Sequence, residues 1–410
     1  MFFIIENAMT IHRFGFLSLL AVLLSGCDQP LTSPAAKLSS QTLLVSCQKA
    51  FDAKDLNLSI SECGFAEQWL SRFDSDSMIY AQVLEKIGDL QASKSPIESE
   101  SFYLKALAIY EKLANPEIRF DPLQLKTAAL QTVLGKWTDA ELLLKRALPI
   151  IETKDGTNSI AVADVYNRLG VVQIRQQLMT DAEQSFQRAI SIREALPNFS
   201  ANILGETNNN LGFVYQTLNK PKEAESFYRK AIALQETAKE SPSVQLYDSL
   251  FNLAALLRAN AKNQEAEGYY RKTLAIAEKV FGKESIQYAQ LLNTLGLLAQ
   301  SANNFAGAEK LFNDSLHIRE KKLGVSHILT AESANNLAVA MANQNKRTDA
   351  KPFMRRAAAI TEINLGADTP LTKQRWNSLL VLELAEAGKN QQQPAPPRVQ
   401  QKISPIKNLR

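Results

Sequence analysis

A fixed repeat of 42 residues constrains the fold of this chain more than any other feature. A Leu-Gly or Leu-Ala pair recurs along the sequence, and its Gly or Ala stands at residues 170, 212, 254, 296 and 338. Ala128 lies one further step back, and an Ala follows each of these residues after twelve positions, in most copies ahead of an aromatic and then a small residue. A period of this length predicts an array of stacked repeats and not a single globular core.

Each period has the pattern of two amphipathic helices. In the clearest copy we expect one helix over about 203–218 and a second over about 221–238. Pro221 marks the start of the second helix, because proline fits the first helical turn. Gly212 predicts close approach of the two helices, with Tyr228 filling the space between them.

Two segments carry a resemblance to a known family, Asn335-Asn336-Leu337-Ala338 and Gly282-Lys283-Glu284-Ser285. Both resemble motifs of the tetratricopeptide repeat, in the 42-residue form of kinesin light chains, and the likeness covers about 121–380. It implies an all-α, right-handed superhelical solenoid whose first helices line the concave face. Such repeats serve many unrelated partners, so the resemblance is specific for fold and weak for function.

The remaining segments are predicted from their composition and from the positions where the 42-residue pattern weakens or ends. Gly88 and Tyr103 indicate a degenerate copy, although their spacing is one residue out of register, and Pro96 is expected to begin its second helix. The predicted organisation is a signal peptide at 1–26, a flexible tether at 27–40, an N-terminal helical hairpin at 41–76 (helices 41–53 and 60–73), a degenerate repeat at 77–120, six repeats at 121–368, a capping helix at 369–387 and a disordered basic tail at 388–410.

The N-terminus is typical of an exported lipoprotein. An apolar run of 11 residues, Phe14–Leu24, is too short to span a bilayer but suits a signal peptide. Leu24-Ser25-Gly26-Cys27 resembles a bacterial lipobox, which predicts that Cys27 carries the lipid (palmitate and diacylglycerol). The alternative is a buried cysteine at the end of a hydrophobic helix. Translation starts at Met1 or Met9, and the sequence leaves that choice open.

The residue after Cys27 bears on the address of the protein. In enteric bacteria, lipoproteins with Asp after the lipidated Cys are generally held at the inner membrane, and Asp28 followed by Gln29 resembles that signal. The prediction is a lipoprotein of the cell envelope that faces the periplasm.

Two further cysteines are expected to form a disulfide. Export to an oxidising compartment, with Cys27 consumed by lipid, leaves Cys47 and Cys63 as an even pair within the N-terminal hairpin. The alternative is a pair of unbridged, buried thiols.

Composition and motifs favour a binding protein over an enzyme. The net charge of +4 with 21% charged residues is too balanced to indicate a nucleic-acid partner. His317 and His327 lack metal-ligand spacing, and we expect a structural role for His327 in an inter-repeat loop. No phosphate-binding or nucleophile motif is present, so we predict no catalysis, no metal and no cofactor.

Asparagines recur at two neighbouring positions of the first helices. Asn is a weaker helix former than Ala, so its repeated use requires a reason. An amide can both donate to and accept from a peptide backbone, and the resemblance to kinesin light chains implies that these residues grip a peptide. The structural alternative is that they bridge neighbouring repeats. They are Asn167, Asn209, Asn293, Asn335 and Asn377 at the first position, and Asn210, Asn252 and Asn336 at the second.

Acidic residues recur three positions before the first asparagine position. They are Asp164, Glu206, Asp248 and Glu332, and Gln290 interrupts the series. One interpretation is an acidic stripe that favours a basic partner, and the other is complementation of the helix dipole by acids in the first turn.

The sequence therefore predicts a lipid-anchored envelope scaffold that binds a protein or peptide partner in the groove. The alternatives are an assembly or secretion accessory that uses its convex face or tail, and a cell-wall-related enzyme. The partner and the oligomeric state are left open.

Overall fold

The structure is a computed structural model that describes residues 34–113, 121–197, 200–239 and 242–391. Within those residues the chain forms seventeen α-helices and no β-strand, which confirms the predicted all-α fold. The chain divides into two compact units, 1–177 and 178–410, and each is described by itself. The signal peptide, Cys27, Asp28 and nearly all of the basic tail lie outside the described residues.

Unit 1 contains the first seven helices. They are α1 (Pro34–Asp52), α2 (Leu56–Phe73), α3 (Met78–Gln91), α4 (Pro96–Leu113), α5 (Asp121–Val133), α6 (Trp137–Asp155) and α7 (Ile160–Arg175).

Unit 2 contains ten helices. They are α8 (Met179–Glu194), α9 (Ala201–Thr217), α10 (Pro221–Glu236), α11 (Val244–Ala259), α12 (Asn263–Val280), α13 (Ile286–Ser301), α14 (Phe305–Leu323), α15 (Ile328–Asn343), α16 (Arg347–Leu365) and α17 (Pro370–Gln391). In each unit every helix packs on the next one along the chain, as stacked helix pairs require.

Helix starts match the predictions where proline marks them, at Pro96 and Pro221. Two starts differ. Helix α1 begins at Pro34 and not near residue 41, because proline suits the first turn and good helix formers follow, so it covers the end of the segment predicted as a tether. Helix α2 begins at Leu56, since Asp55 accepts a hydrogen bond from the N–H of Leu58 at 3.1 Å and caps it.

A positive φ at one residue sets the turn inside each repeat. Six residues share this position at steps of 42, with φ between 58° and 76°. Glycine and asparagine tolerate this left-handed conformation, whereas alanine and glutamine do so at a cost. The six are Gly135, Gln177, Asn219, Ala261, Asn303 and Asn345.

Glycine sets the turn between successive repeats. Gly156, Gly324 and Gly366 have φ of 85–91° with ψ of 151–163°, and Gly282 has φ of 84°. The conformation of Gly366, which ends its helix with an extended ψ, differs from that of a left-handed helical cap. With an extended ψ, this conformation belongs to the region that only glycine adopts readily.

Glycine also permits the closest helix contact inside a repeat. A Cβ atom on Gly212 would lie 2.8 Å from the ring of Tyr228, which is fully buried. Gly296 lies against Phe312 in the same way, and Gly88 against Tyr103 in the degenerate copy. The predicted packing is therefore present even where the spacing is one residue shorter.

A recurring ion pair joins the second helices of neighbouring repeats, and we call it the clamp. A Glu near the start of one second helix pairs with a Lys just before the next, at N···O distances of 2.5–4.0 Å. Glutamine amides bond the glutamate of this repeat position. Gln344 donates to the clamp residue Glu309 at 2.6 Å, and Gln176 donates to Glu141, which has Leu178 in place of a clamp lysine, at 2.9 Å. The clamps are Glu100–Lys136, Glu183–Lys220, Glu225–Lys262 and Glu309–Lys346.

A second recurring contact is a buried arginine bonded to a hydroxyl across the repeat boundary. Arg193 donates to Thr207 at 2.7 Å and Arg319 to Ser333 at 2.9 Å, fourteen residues apart in each case. In the last copy the two residue types are exchanged, because Arg375 donates to Thr361. We call these the arginine pairs.

The disulfide Cys47–Cys63 is present and joins α1 to α2. Both cysteines are fully buried. A cross-link over this loop length stabilises the fold by about 3 kcal/mol, because it restricts the unfolded chain.

Among the described helices, none is both long enough and apolar enough to cross a membrane.

Candidate functional site

First helices of unit 2 pack on each other in two pairs. Helix α9 packs directly on α11, and α13 on α15. We call their outward side, together with that of α17, the first-helix surface. Its exposed or half-buried residues include Glu206, Asn210, Phe213, Asp248, Asn252, Gln290, Thr294, Glu332, Asn336 and Asn377.

Four of the predicted asparagines pair with each other across repeat boundaries. The side chain of Asn252 donates to Asn209 at 3.0 Å, and that of Asn336 donates to Asn293 at 3.1 Å. Each pair joins a second-position asparagine to the first-position asparagine of the preceding repeat. These four residues therefore have the structural role that was the alternative to peptide binding, and we call the two contacts the asparagine ladder.

The ladder does not exhaust the hydrogen-bonding capacity of its members. An asparagine has two N–H donors and an oxygen with two lone pairs, and one ladder bond uses one of them on each residue. Asn252 and Asn336 are half-buried, so their remaining groups are accessible to a partner from the surface.

The other predicted asparagines occupy different surroundings. Asn210 and Asn335 are half-buried on α9 and α15, and Asn377 is exposed on α17. Asn377 lines an open groove of about 710 Å³ between α15, α16 and α17. Asn167 is half-buried on α7 and belongs, with the acid Asp164, to unit 1.

Glu332 has a structural partner that neither sequence interpretation anticipated. It lies 3.2 Å from Arg319, whose guanidinium is 2% exposed, and accepts a hydrogen bond from Asn293 at 3.3 Å. Burial lowers the pKa of Arg319, and the charge of Glu332 opposes that shift. Glu332 is therefore the counter-ion of a buried arginine.

Glu206 and Asp248 form the electrostatically unusual part of the surface. Burial raises the pKa of Glu206, which the charge of Arg193 and a hydrogen bond from Gln245 offset only in part. The pKa of Asp248 is also raised, by loss of solvent among the helices and by repulsion from Glu206. Asp248 is nevertheless exposed on the surface, so water screens both effects at this carboxylate. Two carboxylates that repel each other make this region attractive to a cation.

Large apolar side chains flank these carboxylates. Ile203 is 43% exposed, Phe213 41% and Val244 45%, all on α9 or α11. Carboxylates, spare amide groups and exposed apolar side chains thus lie together on α9 and α11.

The two histidines have local surroundings. His327 is the N-cap of α15, where its Nδ1 accepts from the N–H of Leu329 at 3.1 Å, which matches the expected structural role. His317 lies on α14 near Glu284. Within the described residues no three His, Cys, Asp or Glu side chains cluster as metal ligands would.

Comparison with family models identifies the repeats. Residues 162–237 and 245–321 match a tetratricopeptide repeat model, and residues 330–371 match a second one. The chain therefore contains tetratricopeptide repeats over most of residues 162–371. No curated protein sequence matches the chain.

Solved structures share the fold at low sequence identity. The apo form of the quorum sensor NprR from Bacillus thuringiensis is 13% identical over 87% of this chain and 94% of its own, with a TM-score of 0.56. A signal-transduction ATPase with a tetratricopeptide repeat sensor from Pyrococcus horikoshii is 14% identical, over 88% and 52%, with a TM-score of 0.55. Nearly identical repeats of the kinesin light chain type from Podospora anserina are 17% identical, over 50% and 99%, with a TM-score of 0.44.

Proposed function

We propose that this protein is a lipid-anchored scaffold of the bacterial cell envelope that binds a cationic, partly apolar segment of a partner protein on the first-helix surface of unit 2. The observation that carries the proposal is the pair Glu206 and Asp248, whose pKa values are both raised while apolar side chains lie exposed beside them. Loss of solvent and mutual repulsion are unfavourable to the two carboxylates in the fold by itself, and a bound cation would offset both.

The binding energy would come from three sources. A lysine or arginine of the partner would relieve the repulsion between Glu206 and Asp248. Its apolar residues would cover Ile203, Phe213 and Val244, and each CH₂ buried contributes about 0.8 kcal/mol. Spare amide groups of Asn210 and Asn252 would bond the partner's backbone, at about 1 kcal/mol net for each bond.

The anchor and the address rest on the sequence alone. Cys27 would carry the lipid, and the polar segment after it would connect the bilayer to the folded units. Asp28 favours retention at the inner membrane, with both units on the periplasmic side. Labelling with a palmitate analogue should mark the native protein and not a Cys27→Ser variant, and Asp28→Ser should move it to the outer membrane fraction.

Binding is tested with the mature protein on beads in a detergent extract of the cell envelope. We expect beads carrying Asp248→Asn to retain about ten-fold less, or still less, of the partner proteins that the native chain retains. The reason is that the substitution removes a charge–charge contact. Glu265→Gln is the matched control, because Glu265 is an exposed acid on the second helix α12 that pairs with Arg229. Equal retention by native protein and Asp248→Asn would contradict the proposal, and so would equal losses in the two variants.

A further inference from the structure

The boundary between the fourth and fifth repeats differs from its neighbours in how it is held. The fourth repeat consists of α11 and α12, and the fifth of α13 and α14. Elsewhere in unit 2, each boundary has at least one of the clamp, the arginine pair and the asparagine ladder. The clamp and the arginine pair occur between the second and third repeats, the clamp and the ladder between the third and fourth, all three between the fifth and sixth, and the arginine pair before α17. The boundary between the fourth and fifth repeats lacks all three contacts among the described residues.

The clamp is absent there. Glu267 stands at the repeat position of Glu225 and Glu309, but Asn304 replaces the lysine. Asn304 instead accepts from the N–H of Gly307 at 3.0 Å and caps its own helix, and Glu267 pairs with Arg271 in the same helix.

The arginine pair is absent as well. Its two positions hold Ala277 on α12 and Leu291 on α13, both fully buried. The other boundaries of unit 2 have two polar residues there, either Arg with Ser or Thr, or Gln235 with Ser249. An apolar pair packs without the geometric demands of a hydrogen bond, so it fixes the relative position of the two helices less strictly.

The asparagine ladder is interrupted at the same place. The two positions that would bond are held by Phe251 and Thr294. Phe251 packs on Tyr247 and Tyr270 in its own repeat, and Thr294 bonds the carbonyl oxygen of Gln290 in its own helix.

The neighbouring boundaries show the contrast. Between the third and fourth repeats, Arg229 pairs with Glu265 in addition to the clamp and the ladder. Between the fifth and sixth repeats, the single side chain of Arg319 donates to the carbonyl oxygen of Leu329 and to the side chains of Glu332 and Ser333. Between the sixth and α17, Trp376 donates to Glu362 at 3.0 Å and Arg355 pairs with Glu383.

Across the boundary between the fourth and fifth repeats, the only polar side-chain contact among the described residues is the ion pair Lys283–Glu278 at 3.1 Å. This pair lies at the connecting turn and not between packed helices. We infer that unit 2 is built of two polar-bonded blocks, α8–α12 and α13–α17, and that it opens first at the apolar boundary between them. Because repeat arrays transmit stability only between neighbours, one weak boundary divides their cooperativity.

The chain supplies a template for strengthening this boundary. Gln176 and Gln344 cap their first helices and donate to the preceding Glu and to the first carbonyl of its helix, Trp137 and Phe305 respectively. The equivalent residue in the fifth repeat is the exposed Ala302. Its backbone has φ of −86° and ψ of 9°, close to −92° and 11° at Gln344. A glutamine there would reach Glu267 and the carbonyl oxygen of Asn263 without losing an existing bond.

The test is native-state hydrogen exchange on the full mature chain, native and Ala302→Gln, across a series of low denaturant concentrations. In the native protein we expect the helices of one block, α8–α12 or α13–α17, to exchange together through an opening that leaves the other block protected. In Ala302→Gln, exchange through that opening should slow about five-fold, the value of one net hydrogen bond. Ala302→Glu is the matched control, since it has the same size and length but repels Glu267, and it should give no slowing. A single opening shared by α8–α17 in the native protein would overturn the inference, as would equal exchange in the Gln and Glu variants.

Discussion

At the scale of single residues, the repeat is set by backbone conformation as much as by side chains. Ala261 holds the positive-φ turn position that three other copies fill with asparagine and one with glycine. Alanine adopts this conformation at a cost of about 1–2 kcal/mol. The turn therefore tolerates a strained residue in this copy. Replacing Ala261 tests whether its φ is positive.

We expect Ala261→Gly to stabilise the protein by about 0.5–1 kcal/mol, because glycine removes the strain but adds freedom to the unfolded chain. Urea denaturation of unit 2 measures it. Ala255→Gly, in the middle of α11, is the control and should destabilise by about 1 kcal/mol. A loss of stability in Ala261→Gly would contradict the assignment.

The asparagines are expected to differ in how much they contribute to stability. Asn252→Ala leaves the buried amide of Asn209 without its ladder partner, so we expect a loss of about 1–3 kcal/mol. Asn210→Ala should be neutral or slightly stabilising, since alanine is the better helix former. Thermal unfolding of the two variants compares them, and equal melting temperatures would mean that the ladder bond contributes nothing.

At the scale of helices, the contact between a small residue and a large ring governs packing within a repeat. Gly212→Ala places a methyl group 2.8 Å from the ring of Tyr228, and we expect a loss of about 1–3 kcal/mol. Tyr228→Leu in the same chain should recover part of it, because the first repeat uses Ala128 with Leu144 at these positions. A double-mutant cycle from urea denaturation gives the coupling, and additive losses would show that the two residues do not meet.

The clamps predict how stability depends on pH. Hydrogen bonds from Lys262 and Lys346 lower the pKa of Glu225 and Glu309 below the ordinary 4.5. A carboxyl whose pKa is lowered by folding stabilises the protein above 4.5, and that contribution is lost as the pH falls through the folded value. Glu206 and Asp248 act in the opposite direction, because protonation relieves their burial and repulsion.

We therefore expect the urea concentration at the denaturation midpoint to decrease as the pH is lowered below 4.5. The decrease should be less steep in a variant that carries both Lys262→Met and Lys346→Met. Asp248→Asn should raise the denaturation midpoint slightly at neutral pH, since it removes a charge that repels the half-buried Glu206. An unchanged acid dependence in the lysine variant would show that the clamps are fully screened by solvent.

At the scale of the whole molecule, much of the fold follows from the sequence because a repeat restates the same physical problem in each copy. Gly212 with Tyr228, Pro221, and the pair Cys47 and Cys63 each indicate a local solution that the structure contains. The pairing of Asn252 with Asn209 did not follow, because residues 43 apart in sequence meet only once the stacking of repeats is known.

The clamps could have been found from the sequence. Glu141, Glu183, Glu225, Glu267 and Glu309 recur at steps of 42, and lysines recur at the matching turn. The role of Glu332 could not, since it depends on how deeply Arg319 is buried, and burial is a property of the packed helices.

Site-specific photo-crosslinking in intact cells tests whether the first-helix surface binds a partner protein. A photoreactive amino acid at Phe213, which is 41% exposed on the first-helix surface, should form a discrete cross-linked product with a partner protein. The same probe at Lys230, exposed on the second helix α10, should not give that product. The account predicts that the Phe213 product disappears when Asp248→Asn is added. A product of equal yield from both positions, or one that persists in Asp248→Asn, would contradict it.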